Sequence, residues 1–141
     1  MSPRALIRKA VCDTMSASPG FRLVEVGRRH KLNEKRQLPA AIIYTDREEQ
    51  TLITSAPVTF EHELELRVVL YVKAVGSDSG EAALDELCEG TEALVVAAMS
   101  VLDGVQYAFP SEWEVEADGE TNADFLVGTR TFRVVYHSAV E

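Results

Sequence analysis

One segment constrains the fold more than any other. Across residues 59–75, Phe60, His62, Leu64, Leu66, Val68, Leu70, Val72 and Ala74 fall on one side, while Glu61, Glu63, Glu65 and Arg67 fall on the other, followed by Val69 and Tyr71. Alternation with period two over that length specifies a β-strand, because successive side chains of a strand point to opposite faces. A strand this long cannot stand alone in water. It needs paired strands on its flanks and a packed layer over its apolar face. Its far half is apolar on both sides and is predicted to be covered on both.

The rest of the chain supplies those partners. Ser2 followed by Pro3 suits a helix start, with Ser capping free N–H groups and Pro tolerated at the first helical position. Leu6, Ile7, Ala10, Val11, Thr14 and Met15 then recur at helical spacing, and Ser18, Pro19 and Gly20 close the helix. Residues 21–26 read as a short strand. Residues 40–45 are a continuous apolar strand entered through Pro39, and 46–50 are charged enough to predict an excursion or a hairpin. Residues 76–80 read as a turn, with Asp78 and Glu81 placed to cap a second helix over about 79–102. Leu84, Leu87, Cys88, Thr91, Val95, Ala98 and Leu102 form that helix's stripe. Residues 93–99 are apolar on nearly every side and are predicted to be buried from several directions. After the stop at Asp103 and Gly104, residues 112–117 alternate as a half-buried strand. Residues 118–122 turn, and 124–137 form the last strand, with a bulge expected near Gly128.

The order helix, two strands, long strand, helix, two strands predicts an α+β domain. A mainly antiparallel sheet should carry both helices on one side. The chain has 141 residues, which fits one domain. Leu66, Val68, Leu70, Leu84, Leu87, Val95, Val134 and Tyr136 are the expected core. No apolar run approaches the roughly 20 residues that span a bilayer, and no signal-type segment opens the chain, so it is expected to be made in the cytosol. Cys12 and Cys88 then read as reduced thiols.

The net charge is −9, but its distribution is uneven. Residues 1–37 carry nine Lys/Arg against three acids, and the remainder carries five against twenty. The densest basic stretch is 28–36, with Arg28, Arg29, Lys31, Lys35 and Arg36. A solvated loop, a phosphate contact and a contact with an acidic protein surface all fit it. No aromatic residue interleaves the basic ones, so stacking on bases is not indicated. Glu61, Glu63 and Glu65 place three carboxylates about 7 Å apart on one strand face. A solvated face is the plain reading, and a subunit interface or a loosely held cation is the functional one. Glu112, Glu114 and Glu116 repeat the pattern.

His30, His62 and His137 have no metal-ligand spacing with one another or with the cysteines. His62, on the apolar strand face, is expected to be hydrogen-bonded and partly buried. Residues 77–80 lack Ser at the position a nucleophile elbow requires, and the glycines form no phosphate-cradling loop. The expectation is a protein that is not an enzyme and carries no cofactor or metal.

In order and pattern the chain resembles the tail terminator family typified by the minor tail protein U of lambda-like phages. The resembling segments are Ala5-Leu6-Ile7-Arg8-Lys9-Ala10-Val11, Leu38-Pro39-Ala40-Ala41-Ile42-Ile43-Tyr44 and the long strand from Phe60 to Ala74. Ala82-Ala83-Leu84-Asp85-Glu86-Leu87 and Phe132-Arg133-Val134-Val135-Tyr136 complete the set. The resemblance implies a virion protein that forms a ring, typically a hexamer, on the finished tail tube. Such a ring stops tube polymerisation and offers a surface for head–tail joining. The implied partners are other copies of the chain, the tail tube protein and a head–tail connector protein. No membrane partner is implied, and DNA would be met only as it passes through the ring lumen. Arg28, Arg29, Lys31, Lys35, Arg36, Glu61, Glu63 and Glu65 are the candidate assembly contacts. Another neck or head-completion protein, or a small nucleic-acid-binding module using residues 28–36, are the competing readings.

Overall fold

The fold was established from a computed structural model, which describes residues 2–27, 38–73, 77–117 and 125–139. The basic segment 28–36, Ala74, Gly76 and the turn expected at 118–122 lie outside the described residues. The element order is α1 (Pro3–Ser16), β1 (Leu23–Val26), β2 (Ala40–Ser55), β3 (Val58–Lys73), α2 (Ser77–Ser100), β4 (Val105–Ala117) and β5 (Phe125–Ala139). The strands form one sheet in the order β1-β2-β3-β5-β4. Only the β1–β2 pairing is parallel. This is the α+β layering expected from the sequence, a single compact domain with both helices over one face.

β3 is the spine. His62, Leu64, Leu66, Val68, Leu70 and Val72 are all buried, and the residues between them are half-buried. It pairs with β5 without a register break, from Thr59↔Ala139 to Lys73↔Phe125. The bulge expected near Gly128 is therefore absent from this pairing. Phe132, Val134 and Tyr136 reach the helix side by simple alternation. Gly128 has a different role, since Trp113 on β4 leans across it. A Cβ placed there would lie 2.3 Å from Trp113 Cη2.

Ser2 caps α1 as expected, its hydroxyl accepting from the Ala5 N–H at 3.1 Å. The buried seam is Ile7, Val11 and Met15, narrower than the sequence stripe, and Leu6 stays 44% exposed. Arg8 Nη1 donates to Thr45 Oγ1 at 2.7 Å, tying the helix to β2. α2 buries Leu84, Cys88, Thr91, Val95, Ala98 and Met99 against the same core. It starts at Ser77, so Asp78 lies inside the helix and not in a turn before it. Past its end, Gly104 takes the left-handed conformation (φ 88°) that lets the chain reverse into β4.

Three further expectations are corrected, the first of them in part. Residues 46–50 make no excursion; they lead into the expected hairpin, because β2 continues to Ser55 and turns back into β3. A bulge between Thr45 and Glu48 absorbs the charged residues within the strand. Residues 93–99 are not buried on all sides either: Val95, Ala98 and Met99 enter the core, while Ala93, Val96 and Ala97 remain exposed. β4 also begins well before Glu112. Pro110 within it is compatible with a strand because β4 lies at the sheet edge.

Candidate functional site

The helix-free face of the sheet gathers the strand residues singled out from the sequence. In the β3–β5 register Glu61 faces His137, Glu63 faces Val135 and Glu65 faces Arg133. Arg133 bridges two acids, with Nη1 3.2 Å from Glu63 Oε1 and Nη2 3.9 Å from Glu65 Oε1. His137 Nε2 lies 3.3 Å from Glu61 Oε1. Arg67 lies 3.5 Å from Glu65 and 3.3 Å from Asp46. Glu61, Glu63 and Glu65 are thus brought together, half-buried and partly neutralised by cross-strand partners. Glu49 stands directly opposite Glu63, and Glu112, Glu114 and Glu116 line the β4 edge of the same face. The face stays acidic as a whole, since acids outnumber Arg67 and Arg133 on it. Its far half carries a small apolar cluster of Leu38, Ala40, Leu23 and Tyr71, so the cover expected there is a cluster and not a full layer. Arg28, Arg29, Lys31, Lys35 and Arg36 lie outside the described residues.

A second polar group lies on the helix side and was not foreseen. The β2 bulge turns Glu48 inward, opposite Leu64. Tyr136 OH donates to Glu48 Oε1. His62 stacks on Tyr136 with ring centres 4.4 Å apart, and its Nε2 is 2.6 Å from Ser138 Oγ. Arg4 reaches Glu48 at 3.8 Å. Burial and then the Glu48 hydrogen bond raise the Tyr136 phenol pKa well above its ordinary value. His62 is hydrogen-bonded and buried, as the sequence suggested. The group joins β2, β3, β5 and the start of α1. It serves as a polar clasp at the end of the core.

Cys12 and Cys88 are both free thiols. Cys88 is buried on the core side of α2, beside the ion pair of Arg130 with Glu92, whose atoms are 2.8 Å apart. Burial pushes its thiol up to about 11, with Glu92 reinforcing and Arg130 opposing. Because the thiolate is the reactive species, Cys88 should alkylate slowly at pH 8 and faster as pH rises toward about 11. Residue-resolved mass spectrometry of iodoacetamide-treated folded protein would check this. Full labelling of Cys88 at pH 8 would contradict the buried placement.

Among the described residues, no cluster of three His, Cys, Asp or Glu side chains is placed to hold a metal. No helix among them is long and apolar enough to cross a membrane. Fold and surface together define a two-layer α+β domain with one sheet face closed by helices and the other acidic.

Whole-structure comparison places a solved particle beside it. The chain is similar to a chain of the virion of a native gene transfer agent (GTA) particle, with TM-score 0.52 and 14% sequence identity. The match covers 98% of this chain and 100% of that one. At such identity the likeness is one of fold. No protein-family model matches the chain, and no curated protein matches it in sequence.

Proposed function

We propose that this chain is a structural, non-enzymatic protein of a phage or phage-like virion, and that its place there is that of a tail terminator. In that role copies of the chain form a ring on the finished tail tube, stop tube growth and present a surface for head joining. The observation that carries this reading is the fold likeness to a gene transfer agent virion chain over nearly the full length of both proteins. That likeness supports a virion component, and the terminator role itself rests on the sequence resemblance to the tail terminator family. The exposed apolar side chains Val96 and Val101 on and just after α2, and Tyr107 and Phe109 on β4, also suit a subunit that buries surface against others.

The charge pattern suggests how such copies could stay together. Their acidic sheet faces repel, and the basic segment 28–36 would offset that repulsion by reaching an acidic neighbour. Exposed pairs contribute about 0–1 kcal/mol each, so several must act together. Replacing Arg28, Arg29, Lys35 and Arg36 together by Glu should leave the fold intact by thermal unfolding. It should reduce ring formation or head–tail joining, most of all at low salt, where screening is weakest. Normal assembly by this folded variant would remove the segment from the proposal. For the role itself, the chain would be added to polymerising tail-tube protein of its particle, with tubes and rings scored by negative-stain imaging. Capped, shortened tubes are expected. Absence of rings both alone and on tubes would reject the terminator role. Binding to duplex DNA that falls steeply with salt would favour a nucleic-acid module instead.

A further inference from the structure

The sequence has only two runs of ten or more uncharged residues, 50–60 and 93–102. The fold leaves the first at the surface and exposes one side of the second, whose Val95, Ala98 and Met99 enter the core. The first forms the tip of the β2–β3 hairpin, where Leu52 is 55% exposed, Ile53 42% and Val58 36%. The second is the last part of α2 and the residues after it. There Val96, Met99 and Ser100 form one wall of a groove of about 280 Å³, and Val105, Tyr107 and Ala108 of β4 form the other. None of the residues lining that groove is charged, and Val101 beside it is 79% exposed.

We infer that the hairpin tip of one copy docks in the α2–β4 groove of a second copy. This rests on the reading that copies of the chain assemble, and it assigns the contact. In a chain of net charge −9, two copies repel wherever acidic faces meet. The tip and the groove are surfaces where copies can approach without that cost and bury exposed aliphatic side chains at the same time. The occupant of the groove is not the same chain's own tip. β2 and β4 are separated by β3 and β5, three strand spacings or about 14 Å, and the tip is held in line with the sheet by pairs such as Ser55↔Val58. Because the tip and the groove are different surfaces, the contact is head-to-tail. Such contacts repeat around a ring when the rotation closes.

Three single-sided variants test it. Leu52→Glu with Ile53→Glu disables the tip, and Val96→Glu disables the groove. Val101→Glu is an independent second groove variant. All four positions are exposed, so the variants should unfold thermally like the parent. By sedimentation velocity, each variant alone should lose association at least about tenfold. An equimolar mixture of a tip variant and a groove variant retains one intact tip and one intact groove. It should form a dimer and stop there. If folded variants associate like the parent, the assigned contact is wrong while self-assembly stands. A mixture that forms no dimer when the parent does also overturns it. A parent that stays monomeric to about 1 mM overturns the contact, and self-assembly is then decided by whether rings form on tail tubes.

Discussion

Leu66→Ala should lower unfolding free energy by about 2–5 kcal/mol, the range for deleting a buried Leu side chain from a packed core. Leu66 is fully buried at the middle of β3, opposite Thr45 on one flank and Phe132 on the other. The cavity would open inside the core cluster that the helices and the sheet share, and rigid sheet pairing on both sides limits collapse around it. At about 3 °C per kcal/mol for a domain of this size, the midpoint should fall by roughly 6–15 °C. Leu87→Ala should cost less, because Leu87 is only half-buried at the margin of the same cluster. Thermal unfolding of both variants beside the parent checks the order. Equal midpoints for all three would mean that the assigned faces of β3 and α2 are wrong.

Gly128→Ala should also destabilise, by about 1–3 kcal/mol, the range for overfilling a packed site. The sign is informative because Ala in a strand interior is otherwise preferred over Gly. The added methyl carbon would sit 2.3 Å from Trp113 Cη2, 2.9 Å from Cζ3 and 3.0 Å from Leu84 Cδ2. The indole must therefore move away from β5. Trp113 is the only tryptophan, so its fluorescence reports the displacement, and a red shift toward the solvent-exposed value is expected. Trp113→Leu should remove most of the penalty, giving strong coupling in a double-mutant cycle. Additive effects and an unshifted spectrum would show that the ring does not occupy the space over Gly128.

Much of the fold is legible in the sequence because its largest element is self-declaring. The alternation through Leu64, Leu66, Val68 and Leu70 states both that β3 exists and which side faces the core. The stripe through Leu84, Cys88, Thr91, Val95 and Ala98 does the same for α2. The failures have identifiable causes. Charged residues 46–50 look like a loop, but a strand at the margin of the helix layer can carry them, and a bulge places Glu48 and Asp46 where Tyr136 and Arg67 can reach them. The first half of β4 is hidden by Pro110, which is accommodated because β4 is an edge strand and its register shifts between Pro110 and Glu112. The Glu48, His62 and Tyr136 group depends on three strands being in one register, and no local pattern encodes that. Glu61, Glu63 and Glu65 were visible as a set. Their partners Arg133 and His137 sit some 70 residues later and become neighbours only through the β3–β5 pairing. The uncharged runs 50–60 and 93–102 were equally visible, but their meaning as exposed surface required the fold.

The unbroken pairing of β3 with β5 also has a mechanical consequence. A pull along the strand axis loads that ladder in shear, so its hydrogen bonds from Thr59 to Lys73 share the force together. A pull across the sheet peels bonds one after another, starting at an edge, and the four-residue β1 offers the shortest seam. The domain is stiff in one direction and yielding in the other. Tension is best borne when it enters along the hairpin and leaves through β5.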